Sequence, residues 1–265
     1  MEKRMPRTLS SSLRRAFIPA LVVVFLLGII IFLIVNRNFQ WQPLRQQTGE
    51  PSALSTPAQA QINELDISVC DPTKGPFSLT IDNPFMPLPV GMVHMLESST
   101  SKVQMSVLNQ TETVAGVTTR VVEEREWTNG SLSEIARNFF VQAPDGTVCY
   151  YGEDVDEYRG GQIVGHSGAW RAGTGQNRPG IVMPSHPVVG QTYRQEVAPG
   201  VATDRAEHVA MKQTLTTPVD TFNDVLVVKE TPASDKRYQR GIGMIFDDGA
   251  MLTAGALAPR KPQGF

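Results

Sequence analysis

The sequence predicts a mainly β protein, in which an N-terminal single transmembrane helix precedes an outward domain built as a curved antiparallel sheet or partial barrel. Three observations lead to this prediction. Residues 16–35 form a run of twenty residues without a charge. From Met92 onward, strand-like runs alternate with turn sequences. The turns recur at intervals of about 12 to 18 residues, which is typical of an antiparallel meander.

The apolar segment 16–35 has the length of a membrane span. At about 1.5 Å of rise per residue, its helix measures roughly 30 Å, the thickness of the hydrocarbon core of a bilayer. Five basic residues precede it, and only Arg37 and Arg45 follow closely. The positive-inside rule therefore predicts a cytoplasmic basic tail over residues 1–15 and an extracytoplasmic C-terminal domain at the cell membrane. Membrane lipid is the partner expected for residues 16–35.

A cleaved signal peptide is the alternative for this segment. Its apolar run is longer than a usual signal-peptide core, and the nearest Ala-x-Ala, at residues 58–60, lies far beyond it. An uncleaved signal anchor therefore agrees better with the sequence.

Composition limits the classes of function. The formal net charge is −2, and no basic stripe interleaved with aromatic residues follows the N-terminal tail, so nucleic acid is not an expected partner. No sequence motif indicates an organic cofactor. About 200 residues remain for the outward part, enough for one domain with a well-formed core.

The two cysteines, Cys70 and Cys149, both lie in the outward part, where a disulfide persists. Such a bond would remove roughly 4 kcal/mol of unfolded-state entropy in the chain-entropy model. Two buried free thiols are the alternative. The spacing fits neither a zinc site nor a redox pair.

The chain divides into segments of different composition. Residues 36–66 are rich in Gln, Ser, Pro, Thr and Ala and predict a flexible stalk. Residues 67–248 are assigned to the extracytoplasmic β-domain, and residues 249–265 to a disordered tail. The proline-rich stretch at residues 81–91 predicts an extended segment packed along an edge.

Strands are predicted from the turn signals. Asn129 and Gly130 separate the strand-like residues 117–127 and 132–142, and Asn-Gly is the strongest short-range hairpin signal. Reversals at residues 144–146 and 159–161 lead into further strands. The remaining predicted strands cover residues 147–151, 162–164, 192–197, 206–216, 225–230 and 237–245. Residues 172–191 form a Gly/Pro-rich loop, which predicts a functional or packed Ω-loop.

Ser167 lies in a sequence close to the G-x-S-x-G nucleophile elbow, and Asp204 and His208 follow in the order found in α/β-hydrolases. An elbow needs a buried strand before the serine and a helix after it. Here the preceding strand is short, glycines follow, and Ala169 replaces the last glycine. A glycine-rich turn is the alternative to a catalytic serine.

Glu153, Asp154, Asp156 and Glu157 place four carboxylates in five residues, and oxygen ligands of this kind suit Ca²⁺. The spacing fails the EF-hand pattern. In a strand, Glu153 and Glu157 would lie on one face and the two aspartates on the other. A solvated acidic strand end is the alternative to a calcium site.

A candidate cleft is predicted where two charged segments flank residues 199–200. It comprises Tyr193, Arg194 and Glu196, together with His186 from the long loop. Paired charges across a solvated sheet face are the alternative. The four histidines lack the HxH or HExxH spacing of a metal site.

Several segments resemble a family of bacterial exported or membrane-attached β-rich proteins without an established function. They are IDNPF at residues 81–85, GVTTRVV at 116–122, YGEDVDEY at 151–158, PGIVMP at 179–184, VGQTYRQE at 189–196 and FNDVLVVKE at 222–230. The resemblance covers about residues 75–245 and implies a bacterial, extracytoplasmic setting. It implies no catalytic residue. Cys149 stands where the family pattern has a bulky aromatic, which fits a disulfide particular to this chain.

The function predicted from these observations is non-enzymatic binding of an unknown small molecule or protein at the bacterial cell envelope. A curved sheet offers a concave apolar face, and the 172–191 loop is placed to cover it. A serine hydrolase using Ser167 and a structural envelope protein are the alternatives.

Overall fold

The computed structural model describes residues 63–232 and 234–255. The predicted cytoplasmic tail, the predicted transmembrane segment 16–35 and most of the predicted stalk lie outside these residues. Within the described residues, no helix has the length and apolar character that a membrane crossing requires.

The described chain is built almost entirely from strands. Two short 3-10 helices, η1 (Ile67–Cys70) and η2 (Pro72–Lys74), precede the main sheet. The strands that the structure describes are β1 (Asn63–Glu64), β2 (Asp82–Asn83), β3 (Met86–Pro87), β4 (Val93–Glu97), β5 (Ser101–Val114), β6 (Val117–Thr128), β7 (Ser131–Gln142), β8 (Val148–Arg159), β9 (Gln162–Gly165), β10 (Trp170–Arg171), β11 (Gly180–Met183), β12 (Gln191–Arg194), β13 (Arg205–Thr216), β14 (Thr221–Thr231), β15 (Ser234–Gln239), β16 (Gly243–Asp247) and β17 (Ala250–Ala254).

Fifteen of these strands form one sheet, and β2 and β3 form a separate small pair. The order along the sheet is β1-β12-β13-β14-β15-β16-β17-β4-β5-β6-β7-β8-β10, with β9 and β11 also paired to β8. All of its pairs are antiparallel except that of β1 with β12. The path is open, because it ends on β1 and β10. The mainly β, antiparallel prediction is therefore confirmed.

The predicted hairpin at Asn129 and Gly130 is present between β6 and β7. Both residues have positive φ, 50° and 76°, as a type I′ turn requires. The long strands β5 to β8 follow one another as consecutive antiparallel neighbours. These strands supply one wall of the domain.

Residues 172–191 do not form a simple loop, because they contain β11. This strand pairs with β8 and lies beside β12, and a β-bridge joins Arg178 to Val197. At Gly180 the approach is so close that a Cβ atom would collide with the backbone of Gln195. The segment thus crosses between the two halves of the sheet.

The disulfide prediction is confirmed. Cys70 and Cys149 are bonded, with their Cα atoms 5.5 Å apart, and both are fully buried. The Tyr151 hydroxyl donates a hydrogen bond of 2.8 Å to the Cys70 carbonyl. The bond joins η1 to β8 at the core.

Three predicted boundaries are corrected. Residues 237–245 contain parts of two strands, β15 and β16, instead of one. The stretch assigned to a disordered tail contains β17, which pairs with β16 and β4. β1 lies in the stretch assigned to the stalk and pairs with β12. The physical reason for β17 is burial, because Leu252 is fully enclosed at the sheet.

Candidate ligand-binding cavity

A cavity of about 230 Å³ lies inside the curve of the sheet. Its walls come from both halves of the sheet, namely from β5 to β8 on one side and from β14 to β16 on the other. The proline-rich segment at β3 and the β11 strand also contribute. The two halves of the sheet therefore enclose this space, although the edge strands β1 and β10 do not pair with each other.

The strand period decides which side chains reach the cavity. On β6, Val122, Glu124 and Glu126 line it, whereas Glu123 and Arg125 alternate with them and form an ion pair of 2.7 Å. On β7, the same alternation brings Glu134, Ala136, Asn138 and Phe140 inward. Two neighbouring strands thus direct acidic side chains into the interior.

Eight carboxyl groups line the cavity. Four come from β6 to β8, and four from the opposite side and the loop after β12: Glu124, Glu126, Glu134, Glu153, Glu196, Asp204, Glu230 and Asp247. Lys236 is the single basic residue among the lining residues that the structure describes. The lining therefore has a large excess of acidic groups.

Lys236 is held by one of these acids. Its Nζ lies 3.3 Å from Glu230 Oε2, and Gln195 Nε2 donates to Glu230 Oε1 over 2.7 Å. Burial lowers the pKa of Lys236, but the charges of Glu230 and Asp247 outweigh burial and leave that pKa well above its usual range. Lys236 is therefore a charged ammonium paired within the cavity.

Three other acids form no such close contact with a described basic residue, although the charge of Lys236 favours the ionised form of Glu124 and Glu126. Within the described part of the chain, Glu124, Glu126 and Glu134 take part in no ion pair and accept no side-chain hydrogen bond. Their outward neighbour Glu123, by contrast, contacts Arg125 and also Arg137, the latter at 3.5 Å. The two faces of β6 therefore differ: Glu123 on the outer face is ion-paired, whereas Glu124 and Glu126 on the inner face are not paired with any described residue.

Burial and mutual repulsion make ionisation of the inner carboxyls costly. Burial raises the pKa of Glu124 and Glu153 to about 8, and nearby carboxylates add to the effect. The pKa of Glu134 and of Glu196 rises to about 7, mainly through burial. These groups titrate around neutral pH, so a cation entering the cavity shifts them toward the charged form.

The rest of the cavity surface is largely apolar. It includes Met86, Leu88, Met105, Val122, Phe140 and Met244. Tyr150 borders it as well, stacks against Phe140 at 4.9 Å between ring centroids and donates a hydrogen bond to Asn138 Oδ1. The cavity can therefore receive a molecule that has both a positively charged and an apolar part.

The predicted nucleophile elbow lacks its structural context. Ser167 lies in an exposed turn between β9 and β10, with a strand after it where the elbow needs a helix. His208 is fully buried, and its Nε2 lies 3.0 Å from the Tyr193 hydroxyl. Asp204 lines the cavity. Among the described contacts, no hydrogen bond joins Ser167 to Asp204 or His208.

The acidic segment lies in β8, and its side chains diverge as strand alternation requires. Glu153 lines the cavity, whereas Asp154 forms a bidentate ion pair with Arg171. Asp156 Oδ2 lies 3.1 Å from Arg137 Nη1. Over the described ranges, no group of three or more acidic, histidine or cysteine side chains is arranged to hold a metal ion. Calcium binding by Glu153, Asp154, Asp156 and Glu157 stays a prediction.

The candidate cleft residues do not form one cleft. Glu196 lines the cavity and accepts a hydrogen bond from Trp170 Nε1 at 3.2 Å. Tyr193 is buried at His208, while Arg194 pairs with Glu64 at the edge strand. His186 is exposed and contacts the Ser185 hydroxyl. Of this set, Glu196 belongs to the cavity.

Sequence reasoning missed most of the cavity acids. Glu124, Glu126 and Glu134 occur in strands that were predicted, and their alternation with Val122 and Ala136 was visible. In both strands, these acidic residues stand at alternate positions, in the same register as apolar residues such as Val122 and Ala136. This pattern, the available signal, places the acidic and the apolar side chains on one face of the strand. Charged positions on a strand are usually assigned to the solvent face, so that signal is ambiguous without the tertiary structure.

No family model, curated protein or solved structure matches this chain. The resemblance to a family of bacterial exported β-rich proteins therefore stays a prediction.

Proposed function

We propose that this protein is a non-enzymatic binding protein for a small organic cation, held at the outer side of a bacterial cell membrane by residues 16–35. The observation that carries the proposal is the cavity lining, in which eight carboxyl groups face a single lysine. A ligand with a positive charge offsets this imbalance, and its apolar part packs against the methionine, leucine and phenylalanine side chains.

The electrostatic reasoning favours a cation over a neutral ligand. Carboxylates in a poorly solvated cavity are costly to ionise unless a counter-charge lies nearby, and charge-assisted hydrogen bonds are about twice as strong as neutral ones. The small volume, below the roughly 300–1,000 Å³ typical of pockets for drug-sized ligands, favours a compact molecule.

The outward location is supported by two independent features. One is the charge asymmetry around residues 16–35, and the other is the disulfide, since such bonds persist in oxidising compartments. A binding site on an anchored outward domain samples molecules outside the cytoplasm.

Calorimetric titration of the full-length protein in mild detergent tests the proposal. We expect 1-aminobutane to bind and 1-butanol, its neutral analogue of the same size, to bind at least tenfold more weakly. Affinity for the amine should rise between pH 6 and pH 8.5, because the cavity carboxyls with pKa values of about 7 to 8 must lose protons to pair with it.

Two variants locate the site. Glu124→Gln removes an inner carboxyl and should weaken amine binding, whereas Glu123→Gln on the outer face of the same strand should not. Equal affinity for the amine and the alcohol, or no binding of either, would reject the proposed function.

A further inference from the structure

A row of carboxyls runs across three neighbouring strands, and two of its members, Glu126 and Glu134, line the cavity. Glu126 on β6 lies directly opposite Glu134 on β7, and Glu134 lies directly opposite Glu157 on β8. Like charges at directly opposed positions destabilise a sheet. When ionised, Glu126 and Glu134 therefore form one negative centre in the cavity lining.

A second acidic position follows along the same strand. Glu124 and Glu126 are two residues apart on the inner face of β6, a separation of about 6.6 Å along the strand. Further in the same direction, Glu153 lies opposite Asn138 in the register of β7 and β8. Inward carboxyls thus recur along the cavity wall and are not gathered at one point.

The cavity already holds one alkylammonium group. The side chain of Lys236 is a four-carbon chain that ends in an ammonium, and Glu230 binds that ammonium among the same lining residues. This contact shows that the interior accommodates an alkylammonium group. Among the described residues, Glu124, Glu126 and Glu134 form no ion pair of their own, although the more distant charge of Lys236 attracts Glu124 and Glu126.

From these observations we infer that the ligand is an unbranched aliphatic diamine with a spacer of about four or five carbons. The inference rests on the proposed function and names its ligand class. Across four carbons the two nitrogens are about 6.3 Å apart when extended, by ordinary bond lengths. This distance matches the separation of successive inward positions on a strand, so each ammonium meets a carboxyl.

The size of the cavity, about 230 Å³, favours a compact ligand. A diaminobutane has six non-hydrogen atoms and a diaminopentane has seven. The apolar side chains Met105 and Val122 are suited to the methylene chain between the charges.

The test is a calorimetric comparison of 1,4-diaminobutane with 1-aminobutane on the full-length protein at pH 8.5. The two probes have the same chain length and differ in one ammonium. We expect the diamine to bind at least tenfold more tightly, because the monoamine leaves one negative centre uncompensated. In Glu126→Gln/Glu134→Gln this preference should fall to less than threefold, while Glu123→Gln should retain it.

The outcomes separate the two proposals. Equal affinity for diamine and monoamine, with the neutral alcohol still weaker, overturns the diamine inference and leaves the proposed function standing. Absence of binding by either amine overturns both. Displacement of the diamine by equimolar Ca²⁺ would also overturn the inference, because it would make the row a site for inorganic cations.

Discussion

Glu123 and Glu124 are adjacent in the chain and have opposite surroundings. The Glu123 carboxylate pairs with two arginines on the outer face, while that of Glu124 faces the cavity beside other acids. Burial raises the pKa of Glu124 to about 8; the charge of Lys236 opposes this rise, and Asp247 and Glu126 add to it. The charged form of Glu124 is therefore unfavourable in the folded protein without a ligand.

This environment predicts a pH-dependent stability. With a folded-state pKa near 8 and an unfolded value of about 4.5, Glu124 remains protonated in the fold while the unfolded chain ionises. Its contribution to stability is present below about pH 4.5 and is lost as pH rises toward 8. We expect Glu124→Gln to raise the melting temperature at pH 8 by a few degrees and to have little effect at pH 4.5, measured by differential scanning calorimetry.

The matched control for this prediction is Glu123→Gln. Loss of its ion pairs with the partly exposed Arg125 and Arg137 should leave the melting temperature unchanged or slightly lower at pH 8. If Glu124→Gln destabilises the protein at pH 8, the carboxylate is stabilised by a partner and the argument from burial is wrong.

At the scale of elements, β17 closes the path between β16 and β4. It follows a turn at Asp248 and Gly249, both with positive φ, 42° and 96°. Asp-Gly is a strong hairpin signal of the same kind as Asn-Gly. The signal was present in the sequence, but the short run after it resembled a tail in composition.

Substitution of Leu252 tests how much β17 contributes to the stability of the domain. It is fully buried opposite Leu96, so Leu252→Ala leaves a cavity and should lower the free energy of unfolding by about 2–5 kcal/mol. The exposed Val209 on β13 provides the control, and Val209→Ala should change stability by less than about 0.5 kcal/mol. Urea denaturation followed by tryptophan fluorescence measures both. A small effect at Leu252 would mean that β17 is dispensable.

For the whole molecule, the expected topology follows from five basic residues before residues 16–35 and two soon after. Alkaline phosphatase fused after residue 60 should be active in bacterial cells, and a fusion before residue 15 should be inactive. Removing the charges of Arg14 and Arg15 should reduce the difference in phosphatase activity between the two fusions. The reverse pattern of activity would place the domain in the cytoplasm and remove the basis for an extracytoplasmic ligand.

Much of the strand content was predictable, because turn chemistry is local. The Asn129-Gly130 hairpin and the reversals near residues 145 and 160 follow from residues that accept positive φ. The distant pairing partners of β11 and β17 were not predictable in the same way, although Asp248-Gly249 signals the turn before β17. Those strands are short, and they are held by partners distant in the chain, such as β8 and β4.

The sequence by itself determined the alternation of side chains along β6 to β8, the uncharged segment 16–35 and the presence of two cysteines able to pair. The tertiary structure alone decided which face of each strand is enclosed. A period of two separates Glu123 from Glu124 but does not say which of them meets water. The sheet turns the face of Glu124 inward and brings acids from β14 and β16 opposite it, so the cavity depends on contacts between residues about a hundred positions apart.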